Sequence, residues 1–451
     1  MATTECIEER MTFARVGKRE VVAEFDGGTI SSDGGALLLQ EADQKLNLLG
    51  RFSQCFLDGR DQTRVEHSVE QMIRQRVHAL ALGYEDLNDH DQLRRDPLLA
   101  MLAGKADPGS ELLAGKSTLN RWELGNGITS RYHKITYWRD AIDELLVNVF
   151  VEAHAEAPAQ IVLDIDTTDL PLHGKQEDRF FHGYYGHYCY LPLFIFCGHH
   201  VLCARLRPSS VGAAVGSRKE VERVVRQIRQ KWPAVQIVLR GDSGFCTDDL
   251  LHWCEQNSVD YVVGMARNKR LEGIVAPALS QAQEQFAATQ QPARVFVEFD
   301  HETKTGSWSR PRRVVAKAEH ISGKSNPRFI VTSLGTEARE LYEQLYCARG
   351  DMENRIKEQF VLFADRVSAS TMRANQLRFY LSVFGYTLIH GLRRLGLRAT
   401  EWANAQVGTI RLQLLKIGAV VRVTVRKVWI HLANSFPHQA QFGQILRQLR
   451  Q

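Results

Sequence analysis

Apolar and polar positions follow two different periods along the chain, and the changes between them divide it. From about 35 to 150 the period is helical: LLLQEADQKLNLL, VEHSVEQMIRQRVHALALGY, DPLLAMLAG and DAIDELLVNVFVEAHA repeat at three and four. Pro and Gly between them mark short connections. Residues 1 to about 30 read as an arm leading into Val21, Val22, Ala23 and Phe25, and FDGGTISSDGGALLL follows with two Gly-Gly turns.

The pattern then becomes that of strands. IVLDID, beginning at Ile161, is an apolar run with Asp164 and Asp166 two residues apart, hence on one side of a strand. YLPLFIFCG and HHVLCARLRP extend it into a three-stranded meander. GSRKEVERVVRQIRQKWP is an amphipathic helix, AVQIVLRGDSGF a buried strand ending at Asp242, and TDDLLHWCEQNSVDYVVGMARN a helix followed by a strand. The expected class is α/β. Over 271–340 a Gln/Ala-rich stretch precedes ARVFVEFDHETKTGSWSRPRRVVAKAEH, which alternates like a hairpin, and then the strand FIVTSL. ELYEQLYCARGDMENRIKEQFVLF and MRANQLRFYLSVFGYTLIHGLRRLGL read as helices, and GTIRLQLLKIGAVVRVTVRKVWIHL as helix passing into strand. The last is basic through Arg422, Arg426 and Lys427, which solvation of its outer side explains.

Composition narrows the class. The 451 residues are 44% hydrophobic and 24% charged, enough for a substantial interior in two or three substructures. Net charge is +5, a weak lean toward a polyanionic partner. None of the eight cysteines forms a Cys-x-x-Cys pair, so reduced thiols in a bacterial-type cytoplasm are expected. No apolar run reaches membrane-spanning length.

The chemistry lies in isolated acids. Asp164 and Asp166 on one strand face need water or a cation to offset their repulsion. Asp166 and Asp242 end two strands, and Glu353 sits on a later helix. Strand ends are where α/β sheets place ligands. Carboxylates converging there could hold two Mg²⁺ or Mn²⁺ ions, the arrangement that cleaves and joins phosphodiesters. Of the two acids on the first strand, Asp164 is the better candidate for a supporting role. In LLAGKSTLNRWELG a short capped helix displays Asn120 and Arg121, as a DNA-reading helix does. Trp308 lies among Arg310, Arg312 and Arg313, an aromatic able either to stack on a displaced base or to pack on the core. Lys175 and Gln176 follow Asp166 closely enough to be strand-end DNA contacts.

Three of these pieces, LDIDTTDLPLHGKQ, RGDSGF and YCARGDMENRIKE, in this order, resemble the DDE transposases of bacterial insertion sequences, within the group carrying a Tyr-Arg-Glu signature. The chain looks closest to the IS1380-type transposases, a resemblance that extends through FDGGTISSDGGALLL, YEDLNDHDQLRRDP and GKSTLNRWE. It implies Asp166, Asp242 and Glu353 as catalytic metal ligands, and Tyr346, Arg349 and Lys357 as phosphate contacts. The pattern departs at one place: the lysine expected seven residues after the glutamate is Phe360, and Lys357 one turn past Glu353 is its candidate replacement.

The resemblance further implies an RNase H-like catalytic core, a mixed sheet flanked by helices, with an inserted β-subdomain and an N-terminal helical DNA-binding region. The expected division is 1–150 for recognition of DNA ends, 151–270 for the first part of the core, 271–340 for the inserted β-rich subdomain, and 341–451 for the rest of the core and the basic end. The partners implied are double-stranded DNA with terminal inverted repeats, target DNA, and a second copy of the chain when two ends are held together. Cut-and-paste movement is implied, with the cleavage intermediate, hairpinned or not, left open. A metal-dependent nuclease of the same fold without strand transfer, and a non-catalytic DNA-binding descendant, are the competing readings.

Overall fold

A computed structural model describes residues 10–125, 127, 130–303 and 307–451. The chain divides into two compact units, one made of Met1–Leu49, Asp61–Asn120 and Gly391–Gln451, the other of Gly50–Arg60 and Arg121–His390.

The second unit is built on a nine-stranded sheet. Its strands are β1 (Gln160–Thr167), β2 (Leu193–Cys197), β3 (His200–Arg205), β4 (Gln236–Gly241), β5 (Asp260–Met265), β6 (Ala293–His301), β7 (Arg312–Ile321) and β8 (Arg328–Thr332), in the order β3-β2-β1-β4-β5-β8-β7-β6, with the short strand Lys324–Ser325 beside β7. The first three form the expected antiparallel meander, whereas β4 and β5 run parallel to β1. This mixed sheet flanked by helices is compatible with a DDE transposase fold.

Period-2 alternation divides the apolar residues between the two faces of the sheet. Ile161, Leu163 and Ile165 join Ile195, Ile237 and Leu239 in the larger core, closed by Val147 and Phe150 of α1 (Arg139–Glu152) and by Val221, Val224 and Ile228 of α2 (Ser217–Lys231). The opposite face carries Val238, Val262, Val315 and Ile330, covered by Leu341 and Tyr342 of a helical run over 338–361. That run is widened to π-type turns at Leu341–Tyr346 and tightened at Cys347–Arg349 before the regular helix α3 (Gly350–Val361). Sequence periodicity shows neither irregularity.

The stretch 271–340, read from sequence as an inserted β-subdomain, carries a helix and strands β6 to β8 of the large sheet. The Gln/Ala-rich stretch forms the helix Lys269–Thr289, and β6 to β8 extend the central sheet, with β8 pairing antiparallel to β5 at Val263↔Val331. A strand edge left open at β5 is covered by further strands of the same alternation. Residues 391–451 group with the chain's beginning.

That first unit explains its glycines. Gly28 has a left-handed φ of 76° and makes the expected turn. Gly34 and Gly35 serve closeness instead: a Cβ on Gly35 would lie 2.0 Å from the Leu414 carbonyl oxygen, and the Gly34 amide donates to the Ile417 carbonyl at 2.7 Å. Beside them the buried Asp33 pairs with Lys416 at 2.7 Å and accepts from Tyr84 Oη at 2.8 Å. Residues 414–417 are thereby fixed, and β9 (Ala419–Val423) and β10 (Val428–Leu432) follow, with β9 also pairing the short strand Ile30–Ser31. Among the described residues no helix is long and apolar enough to cross a membrane, and the seven described cysteines are free.

Candidate active site

Asp164 and Asp166 lie on the sheet face covered by the 338–361 helical run, and both are nearly inaccessible, at 5% and 8% exposure. They have different partners. Register sets Asp164 opposite Arg240 of β4, whose guanidinium donates to both carboxylate oxygens at 2.5 and 2.8 Å and to the Leu345 carbonyl at 2.5 Å. Asp164 is therefore a tie between sheet and helix.

One step along, the pairing Gly241↔Ile165 sets Asp242 beside Asp166 at the ends of two parallel strands. The Asp242 carboxylate accepts from the Gly244 amide at 2.8 Å, which fixes the Asp-Ser-Gly turn and leaves its second oxygen outside that bond. Asp166 accepts from the Thr167 amide at 2.8 Å and from Arg349 Nη1 at 3.0 Å. Arg349 also reaches back to Glu353 on its own helix at 3.9 Å. Glu353 is about half exposed and Lys357 is exposed.

The electrostatics tie the acids together. Burial pushes the Asp166 carboxyl up to about 6; the Arg349 cation opposes this, and the carboxylates of Asp242 and Glu353 add to it. Tyr346 is pushed up chiefly by burial. Its hydroxyl sits over β5, where a Cβ on Gly264 would come within 2.6 Å of Tyr346 Oη and 2.9 Å of the Ser243 amide. Gly264 and Arg240 are the residues of this site that the motif reading did not single out. A glycine inside the strand pattern DYVVGM was the available signal.

The all-carboxylate donor set suits a hard divalent cation. Among the described residues, however, no three His, Cys, Asp or Glu side chains stand together at metal-holding distance. Arg349 occupies one Asp166 oxygen, so the cation in contact with that carboxylate here is a guanidinium.

A family model described as the transposase DDE domain, group 1, matches residues 13–451. The chain belongs to the DDE transposase family. Members of this family are enzymes acting on DNA, generally with divalent metal ions. No curated protein matches the sequence of this transposase significantly.

Several of the remaining candidates have partners elsewhere in the transposase fold. Arg312 is buried and paired with Asp248 and Glu255, both at 2.7 Å, and stacks over Trp308 at 5.2 Å. Trp308 packs against the main core, and Arg313 binds Glu298 and the carbonyls of Leu334 and Thr336. Of that basic group, Arg310 remains largely exposed, 3.8 Å from Glu255. Gln176, next to an exposed Lys175, closes its own loop by accepting from the Gly174 amide at 3.1 Å and donates to the Val367 carbonyl at 3.3 Å. Asn120 and Arg121 are exposed on the helix Lys116–Glu123.

Proposed function

We propose that the chain is an IS1380-type transposase that cleaves DNA at the terminal inverted repeats of an insertion sequence and joins the 3′-hydroxyl ends to target DNA. The observation that carries this reading is the register that sets Asp166 and Asp242 at two adjacent parallel strand ends, with Arg349 linking Asp166 to the helix that bears Glu353. Asp166, Asp242 and Glu353 are the residues that would hold two Mg²⁺ or Mn²⁺ ions. Such ions would supply Lewis acidity, for the attacking water or hydroxyl and for the leaving oxygen. Arg349, Tyr346 and Lys357 share one helical run with Glu353, and in this reading they grip the phosphates on either side of the scissile bond. Arg349 turns from Asp166 to a phosphate when DNA enters. Asn120, Arg121, Lys175 and Arg310 are exposed enough to add DNA contacts, whereas the partners of Arg312, Arg313 and Trp308 favour a structural role for them. In this reading a second copy of the chain joins when two ends are held together.

The test is incubation of purified protein with Mg²⁺, labelled terminal-repeat duplex and a supercoiled plasmid. Joined products are expected, and Asp242→Asn or Glu353→Gln should abolish them. Cleavage without joining would reduce the chain to a nuclease; duplex binding without cleavage would make it a DNA-binding descendant.

A further inference from the structure

Charge is distributed unevenly along this chain. Residues 402–451 contain seven Lys and Arg and no Asp or Glu; the rest, with fifty cationic and 52 acidic side chains, is net negative. The attraction for a polyanion is therefore concentrated in the last fifty residues. Four of those seven cations, Lys416, Arg422, Arg426 and Lys427, fall in or beside the β9–β10 ribbon.

The ribbon has an inner and an outer face. Ala419↔Leu432 and Val421↔Ile430 form the inner one, with Ala419 and Val421 buried. Val420↔His431 and Arg422↔Trp429 form the outer one, joined by Ile30 across the Val420↔Ile30 pair. Trp429 is 48% exposed, with Lys427 5.1 Å above its ring and His431 stacked at 6.2 Å. The turn between the strands, Thr424 to Lys427, is wholly exposed. A protein that merely needed solubility would have no reason to set an exposed indole among cations on a rigid strand pair. Rigidity comes from the Asp33–Lys416 pair and from the close approach of Gly34 and Gly35 just before β9.

We propose that the outer face and tip of the β9–β10 ribbon form a duplex-DNA contact separate from the acidic site, with Arg422, Arg426 and Lys427 on phosphates and Trp429 against the groove wall. A two-stranded ribbon is of a size the major groove admits, and an exposed cationic turn suits the flanking backbone. Charge complementarity points to this occupant: the ribbon carries Arg422, Arg426 and Lys427 and no carboxylate, so its surface suits a polyanion. The inference rests on the reading of the chain as a DNA-acting enzyme and deepens it by naming a gripping surface outside the chemistry.

The test is fluorescence anisotropy of a labelled mixed-sequence duplex of about 30 base pairs over a salt series, because each phosphate contact contributes about −0.9 to the slope of log K against log salt. The triple variant Arg422→Ala, Arg426→Ala, Lys427→Ala should bind at least tenfold more weakly with a slope smaller by about 2 to 3. Trp429→Ala should weaken binding and leave the slope unchanged. Arg422→Lys with Arg426→Lys should retain the slope, which separates lost charge from lost fold. A control removing three exposed cations of α2, Lys219→Ala, Arg226→Ala and Lys231→Ala, should alter binding little. Equal loss in control and ribbon variants, or none in the ribbon variant, overturns the proposal. Asp242→Asn should bind the duplex as the wild type does while failing to cut it, so failure of the acidic site and failure of the ribbon are read separately.

Discussion

Arg349 Nη1 donates to Asp166 Oδ2 across 3.0 Å, joining residue 349 of a helix to a carboxylate at the end of β1. A guanidinium in that position offsets the repulsion of neighbouring acids when no metal is bound, and it competes with any ion for the same oxygen. Arg349→Ala should therefore bind Mn²⁺ several-fold more tightly than the wild type in the absence of DNA, measured by calorimetry. Cleavage of terminal-repeat DNA should nevertheless fall by about 100-fold, the order of loss seen when a preorganised donor is removed from an active site. Weaker Mn²⁺ binding by the variant would show that Arg349 supports the metal site instead of competing for it.

The raised pKa of Asp166 has a consequence for stability, and its sign is the reverse of the usual carboxylate case. The folded protein holds the proton up to about 6, against the ordinary 3.8. Between those values the folded state binds more protons than the unfolded chain, so this residue's contribution is most favourable at low pH and is lost as pH rises through 6. Asp166→Asn, neutral throughout, should match the wild type near pH 4 and exceed it near pH 7 by up to about 3 kcal/mol in the metal-free state. Urea denaturation at several pH values measures this. A variant less stable than the wild type at pH 7 would mean that the Arg349 contact outweighs the cost of burial.

Asp164 and Arg240 test whether the second acid of β1 is structural. Removing one partner of a buried ion pair strands the other charge, at a cost of about 3 to 5 kcal/mol. Asp164→Ala and Arg240→Ala should each lose that much in denaturant unfolding, the latter also freeing the Leu345 carbonyl from its 2.5 Å bond. The double variant Asp164→Leu, Arg240→Met should regain most of the loss. If both single variants unfold like the wild type, the pair is not what fastens the helical run to the sheet.

Much of the candidate site's geometry is legible in the chain because its information is local. The strand ends at Asp166 and Asp242 follow from apolar runs that stop, and the Tyr346, Arg349, Glu353 spacing survives because Arg349 and Glu353 lie one turn apart. Properties that depend on what faces a residue were not legible. Arg240 looks like any strand arginine until register places it against Asp164. Trp308 and Trp429 each stand among cations in the sequence, yet one packs on the core and the other is half exposed, since only the first is met by Asp248 and Glu255 through Arg312. The sheet's continuation into β6–β8 was missed for the same reason, as alternation shows that a segment is strand and not which edge it extends.

The Gly-Gly pair at 34 and 35 yields the sharpest contrast between a turn glycine and a packing glycine. Turn chemistry predicts tolerance of alanine wherever φ is ordinary, and neither glycine has a left-handed φ. Packing predicts the opposite at Gly35, where a methyl group would meet the Leu414 carbonyl oxygen at 2.0 Å and the Leu415 Cα at 2.6 Å, both backbone atoms that no rotamer change can move. Gly35→Ala should therefore destabilise the protein by about 3 kcal/mol or more, at or beyond the upper end of the range for overpacking. Gly350, where nothing lies within 4 Å of an added Cβ, is the matched control: Gly350→Ala should be neutral or mildly stabilising, since it opens a regular helix. The Gly35 variant should also weaken duplex binding by the β9–β10 ribbon, because the residues it displaces lead directly into β9. Equal thermal stability of the two alanine variants would return Gly35 to a role in the turn alone.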